Sequence, residues 1–152
     1  MTLLAVDPGT YESAYVVWDG QKVLAAGKVA NEKMLELIGN PPWDIDRLAV
    51  ERIASYGMRV GQEIFTTCLW TGRFVQMAET NKTEWILIYR MDVKKYLVGS
   101  HMARDADIRR RLLDIVGPTG TKKAPGPTYG IKGDAWQALA LAVTAWDLTV
   151  GK

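Results

Sequence analysis

The order in which the sequence changes its period constrains the fold most. Leu3-Leu4-Ala5-Val6 is a short apolar run stopped by Asp7-Pro8-Gly9, the pattern of a buried strand entering a turn. Ser13 to Trp18 resumes the strand character, Asp19-Gly20 is a hairpin turn signal, and Lys22 to Val29 carries the pattern on. A three-stranded meander therefore opens the chain. Asn31 is then expected to cap a short helix whose apolar face is Met34, Leu35, Leu37 and Ile38, stopped by Gly39-Asn40-Pro41-Pro42. Leu48-Ala49-Val50 predicts a fourth strand ending near Glu51 and Ile53. Val60 to Asn81 predicts a long helix with Ile64, Cys68, Leu69, Phe74, Val75 and Met77 on its apolar side, and Trp85 to Tyr89 a fifth strand. Two helical pieces follow, Asp92 to Val98 and Asp105 to Val116, the second closed by Gly117-Pro118. A last helix, rich in alanine and leucine, is expected from Gly133 to Trp146. Three strands, helix, strand, helix, strand and then helices predict a mixed α/β sheet rather than a purely parallel one.

A chain of 152 residues fits one domain, so a single domain over residues 1–152 is expected to carry the chemistry. Its 48% hydrophobic and 24% charged residues are ordinary globular usage, and a net charge of +2 is too small to name a partner. Cys68 is alone and cannot form an internal disulfide; His101 is the only histidine, so no zinc-ligand spacing exists. An intracellular, cytoplasmic chain is the expectation. The N-terminus shows no basic segment leading to an apolar stretch and cleavage site, and the longest apolar run, Ala138 to Trp146, falls far short of a membrane span.

Three acids stand where chemistry is expected. Asp7 ends a buried strand, and Pro8-Gly9-Thr10 leaves room for a phosphate backbone to approach; the ordinary alternative is an acid serving the turn. Glu51 follows Leu48-Ala49-Val50 with no turn between, and a carboxylate in such a strand is costly unless paired or metal-bound. Solvent exposure, or a salt bridge to Arg52, is its ordinary reading. Asp134 starts the last helix, where aspartate is also a favoured cap.

Val6-Asp7-Pro8-Gly9-Thr10, Val50-Glu51 and Gly133-Asp134-Ala135-Trp136-Gln137-Ala138-Leu139-Ala140 resemble the three acidic motifs of the RuvC-like Holliday junction resolvases of the RNase H-like superfamily. Ser55-Tyr56-Gly57-Met58, Asp92-Val93-Lys94 and Lys123-Ala124-Pro125-Gly126-Pro127-Thr128-Tyr129-Gly130 add likeness to the bacteriophage branch, and with it an origin in a phage growing in a bacterial host. The resemblance implies a five-stranded sheet of order 3-2-1-4-5, with the second strand antiparallel and helices on both sides. It also implies an endonuclease acting on four-way junctions, flaps and forks by phosphodiester hydrolysis with paired nicks, as a homodimer. Asp7, Glu51 and Asp134 would be the catalytic metal ligands. Magnesium is the expected ion, with manganese substituting, because hard carboxylate oxygens suit it. In a two-metal arrangement, ions on the order of 4 Å apart serve the attacking and leaving oxygens. One position departs from the bacterial pattern: Gln137 stands where a further acid is usual, one turn into the last helix. Either Asp134 suffices, another acid such as Glu12 compensates, or activity is weakened or lost.

Nucleic-acid contacts are expected from bases near the third acid. Arg90, Lys94, Lys95, Arg104, Arg109, Arg110 and Arg111 outnumber Asp92, Asp105 and Asp107 in their stretch. The loop from Pro118 to Lys132, expected to be mobile without a ligand, adds Lys122, Lys123 and Lys132 and no acid. Solvation of a helix face explains Arg109 to Arg111 almost as well. By the resemblance, Lys94 matches a lysine supporting DNA binding and catalysis, and Arg104 matches a second with a shift of about one residue. Tyr56, Trp43 and Tyr129 sit in turn-rich stretches where aromatic rings can stack at an opened junction. Trp85, Trp136 and Trp146 are expected in the core, as are Met58, Met77 and Met91, while Trp70 and Phe74 are candidates for a subunit interface.

Two further readings stay open. A branched-DNA-binding module that has lost catalysis would fit Gln137. An ATP-binding protein of the actin and sugar-kinase type shares an acid-glycine-threonine turn after its first strand, but no second such turn is present for a second lobe.

Overall fold

The computed structural model describes residues 1–151; Lys152, the last residue of the expected domain, lies outside the described residues. The elements are β1 (Leu3–Asp7), β2 (Glu12–Trp18), β3 (Val23–Ala30), α1 (Asn31–Gly39), β4 (Arg47–Arg52), α2 (Gln62–Thr80), β5 (Glu84–Tyr89), α3 (Arg90–Val98), α4 (Asp105–Val116) and α5 (Ala135–Thr149). They form one five-stranded sheet of order β3-β2-β1-β4-β5, with β2 antiparallel to both neighbours and β1, β4 and β5 parallel. The sheet is mixed, as the order of strands and helices predicts, and its strand order is the one the resemblance implies.

β1 is the central strand because it is apolar on both faces. Leu3 and Ala5 point into one core with Ala49, Ile88 and most of α5, walled by Val93, Leu97, Ile108 and Leu112 of α3 and α4. Leu4 and Val6 point into the other, with Met34, Ile38, Phe74 and Ala78 of α1 and α2. The alternation of period two thus sends neighbouring residues to opposite helical layers. α5 is buried at every position from Ala135 to Ala145 except Gln137, which is why it shows alanine and leucine all round.

Several expectations are corrected. The inward side of α2 is Thr67, Thr71, Phe74 and Ala78, while Cys68 and Leu69 are exposed. Thr67 and Thr71 donate their hydroxyls to the carbonyls of Glu63 and Thr67, at 2.9 and 3.0 Å, so their polar atoms are satisfied inside the helix and their methyls can face the core. Phe74 is therefore core rather than interface, and Trp70 lies against it with ring centroids 5.9 Å apart. Trp85 is 40% exposed on the edge strand β5, and Met58 is 76% exposed in a surface turn. Trp43 is half-buried beside Tyr15 instead of open to a ligand. The basic loop carries hydrogen bonds of its own. Gly120 bridges Pro125, Gly126 N–H donates to the Thr119 carbonyl at 2.8 Å, and buried Thr128 donates to the Gly117 carbonyl at 3.0 Å. α5 begins at Ala135 and runs on to Thr149, past the expected Trp146.

Asn31 does not cap α1: it is the first helical residue, fully buried, and makes no capping bond. Its side chain instead accepts from the Ser13 hydroxyl at 2.6 Å and donates to the Gly9 carbonyl at 2.9 Å, and Gly9 N–H reaches Ser13 at 3.3 Å. That closed ring of bonds holds the turn after Asp7. Asn31→Ala would strip partners from a buried hydroxyl and carbonyl, and is expected to destabilise the protein by about 2 kcal/mol in urea denaturation. A loss below about 0.5 kcal/mol would show that the ring does not anchor the turn.

Candidate active site

One lateral row of the sheet brings the site together. Asp7 pairs with Ala14 and Ala14 with Lys28, so Lys28 lies two strands from Asp7 with only a methyl between them. On the other side, Val6 pairs with Val50, and Asp7 and Glu51 are the next residues along these parallel strands. Both acids thus emerge on the α5 side of the sheet at the carboxyl ends of β1 and β4. The turn after Asp7 needs Gly9 for an internal reason: a Cβ there would meet the Glu12 carbonyl oxygen at 2.2 Å. The close approach expected from a ligand is thus made by the chain itself.

Glu51 is only 8% exposed, so neither solvent nor Arg52 serves it; the Arg52 guanidinium lies over Tyr89, 5.1 Å from the ring centroid. Asp7 and Glu51 lie close enough that a hydrogen bond between their carboxyls favours the protonated form of Asp7 and the ionised form of Glu51. Burial, then the charges of Glu51 and Asp134, push the Asp7 carboxyl up to about 8 against the opposing pull of Arg90. Burial also raises Glu51, while Arg90, the bond from Asp7 and the charge of Lys94 work to keep it ionised. Arg90, the first residue of α3, approaches Glu51 at 3.7 Å and binds Asp105 at 2.5 Å.

Asp134 precedes α5 but its side chain makes no capping bond. It accepts from Lys28 Nζ at 2.7 Å, with the two side chains 48% and 55% exposed. It nevertheless lines two cavities together with Asp7. One, of about 360 Å³, also takes in Glu12 and Lys28; the other, of about 430 Å³, takes in Arg90, Arg109 and Gln137. Among the described residues no group of three or more His, Cys, Asp or Glu side chains is arranged to hold a metal ion. The donor set still suits a hard cation: two carboxylates meet where burial favours a proton on Asp7, and a divalent ion would replace that proton. Asp134 could leave Lys28 at small cost, since a half-exposed pair of this kind contributes roughly 1 kcal/mol or less.

The remaining expected residues are spread around this row. Lys94 lies one turn beyond Arg90 and its charge reaches Glu51; Lys95 is exposed beside it. Arg104 is outermost, its guanidinium 3.7 Å from Asp107. Lys122 and Lys123 ride the basic loop, Lys132 stands two residues before Asp134, and all three are exposed. Tyr56 is 54% exposed and held at φ 50°, the left-handed region rare outside glycine. Tyr129 is 46% exposed. Lys28 was not legible as a site residue because only the register of β3 reveals its row.

Two solved structures superpose over nearly the whole chain. Thermus thermophilus RuvC matches at 20% identity and a TM-score of 0.70, covering 99% of this chain and 97% of its own. The same RuvC in complex with a Holliday junction substrate matches at 20% identity and 0.71, covering 99% and 96%. The chain has the RuvC fold. A ROK hexokinase from Thermus thermophilus overlaps 69% of the chain at 13% identity and a TM-score of only 0.42. No protein-family model matches the sequence, and no curated protein matches it either. Within the RuvC fold, Asp7 and Glu51 occupy the ends of the two central parallel strands. No helix among the described residues is long and apolar enough to cross a membrane.

Asp7 keeps its proton to about pH 8 in the folded chain but loses it near 3.8 when unfolded. The folded state therefore binds more protons across that window, and stability falls as pH rises through it. Asp7→Asn removes this dependence. In chelator, the melting temperature of Asp7→Asn is expected to exceed that of the wild type by a margin that widens from pH 5 to about pH 8. A margin that stays flat across this range would contradict the raised pKa of Asp7.

Proposed function

We propose that the chain is an endonuclease that resolves Holliday junctions and other branched DNA by hydrolysing phosphodiester bonds. The carrying observation is the half-buried Asp7 beside the buried Glu51 at the ends of the central parallel strands, with Asp134 lining the same cavities as Asp7. The RuvC fold, one example of which holds a Holliday junction substrate, supports the choice of DNA and of its branched form. Residues 1–152 are read as one nuclease domain working in the cytoplasm.

Asp7, Glu51 and Asp134 would hold magnesium, for which manganese substitutes. Bound there, the metal would supply Lewis-acid activation of the scissile phosphate and of the attacking water. The chain's own residues do the rest. As a ligand Asp7 would have to be deprotonated, and because burial and its acidic neighbours raise its pKa, affinity for metal would rise with pH. Lys94 presents its ammonium beside Glu51 to the nonbridging phosphate oxygens. Lys28, released from Asp134, adds a second cation near the same row. Lys95, Arg104, Lys122, Lys123 and Lys132 hold flanking phosphates, and Tyr56 offers an exposed ring on a constrained turn for stacking at the branch point.

Paired nicks require two such sites, and α2 supports a homodimer. Phe65 and Leu69, 61% and 66% exposed, lie with exposed Cys68 and Gly72 at helical spacing on its outer side. An apolar stripe with a small residue in it suits close packing against the same stripe of a second copy. The tie between Lys28 and Asp134, together with Gln137, favours a second reading, a junction-binding module without catalysis.

The test is cleavage of a labelled four-way junction, a flap and a linear duplex with magnesium, manganese or chelator. Metal-dependent cutting of the branched substrates that drops at least 100-fold in Asp7→Asn is expected, since one lost metal ligand typically removes most of the activity. Tight junction binding with no cutting in either metal would establish the second reading instead. Separately, Leu69→Glu is expected to convert the dimer to monomer in sedimentation velocity, while a wild type that sediments as monomer at all concentrations would rule out the α2 interface.

A further inference from the structure

Among the described residues, Arg109 differs from Arg104, Arg110 and Arg111 in having neither an ion pair nor a hydrogen bond from its side chain. Arg104 and Arg110 both lie within 4.0 Å of Asp107, and Arg111 donates to the Leu97 carbonyl at 3.2 Å. Asp105, one turn before Arg109 and the acid placed to pair with it at i,i+4, is engaged by Arg90 at 2.5 Å. Among the described residues Arg109 makes no ion pair. Its guanidinium instead lies over Trp136, 4.8 Å from the ring centroid. Trp136 is itself 6% exposed, the second residue of α5, so the platform is part of the core. A guanidinium held this way keeps its charge and its edge donors free, and loses little rotamer freedom when an anion arrives.

The position of that guanidinium is what gives it a use. Arg109 lines the same 430 Å³ cavity as Asp7, Asp134 and Gln137. An anion seated on Arg109 is thus next to whatever the acids hold, and under the nuclease reading, on which this step rests, that is the scissile phosphate. We propose that Arg109, stacked on Trp136, is the anchor for a neighbouring phosphate of the cut strand. Gln137 is its complement. The cavity already holds Asp7, Asp105 and Asp134, none of which pairs with Arg109; an acid at position 137 would add a fourth carboxylate to compete with phosphate there, whereas a neutral amide does not.

The experiment is fluorescence anisotropy of a labelled four-way junction with the full chain, in chelator and in calcium, across salt from about 50 to 200 mM. Arg109→Gln is expected to weaken binding about 10-fold and to reduce the slope of log affinity against log salt by about one. Arg109→Lys keeps the slope but recovers only part of the affinity, because an ammonium lacks the planar fork. Arg110→Gln, one residue along on the outer side, stays within about 2-fold of wild type. Gln137→Glu weakens binding in the wild type and has no further effect in Arg109→Gln, the non-additivity expected of two groups in one cavity. Wild-type affinity and slope in Arg109→Gln, or an equal loss in Arg110→Gln, would overturn the proposal. Should Arg109→Gln fail to fold, full wild-type affinity in Arg109→Lys would overturn it instead. A wild type that binds no junction at all fails the nuclease reading itself; binding that ignores Arg109 fails only this step.

Discussion

Two carboxylates forced into one buried corner dominate the physics of this chain. Asp7 and Glu51 are neighbours because two apolar parallel strands, β1 and β4, pair in register and end together. The sheet gives neither acid a way out, since both follow residues committed to the core. Their repulsion is met by protonation, which burial favours at Asp7, and by two cations, Arg90 on α3 and Lys28 in the same row on β3. Every nearby element contributes to that balance, and α3 begins with the residue that bridges Glu51 to Asp105.

The site is therefore poised between two charge states rather than empty of structure. Asp134 belongs to it by position, lining both cavities with Asp7, but is turned toward Lys28. A weak surface pair holds that orientation, whereas burial holds the other two acids. In the proposed metal-dependent nuclease, the fixed pair would set where a cation goes, and Asp134 would complete the set.

Much of this was legible in the sequence. Turn chemistry and the change of period from two to 3.6 locate all five strands and the helices to within a few residues, because each strand is bounded by glycine, proline or an acid. Asp7, Glu51 and Asp134 stand out as acids at the ends of apolar elements. What was not legible depends on register or on local bonding. Lys28 acquires meaning only through Ala14, and Arg90 only through the start of α3 directly after β5. Thr67 and Thr71 face inward because their hydroxyls bond back along the helix, which hydropathy scores as surface. Asn31 looked like a helix cap, and only the fold shows it tying the first turn to β2.

The basic loop between α4 and α5 has a consequence for how DNA would be chosen. Hydrogen bonds cross it from Gly117 to Thr128, with a bridge between Gly120 and Pro125, so Lys122 and Lys123 are carried on an internally bonded turn. A floppy arm would mould itself to any duplex and discriminate little. A stiff one acts as a gauge: the nucleic acid must supply the bend, and substrates already broken at a branch point bend at the lowest cost. Selectivity for shape can thus be stored in the protein's own backbone bonds, with no base ever read.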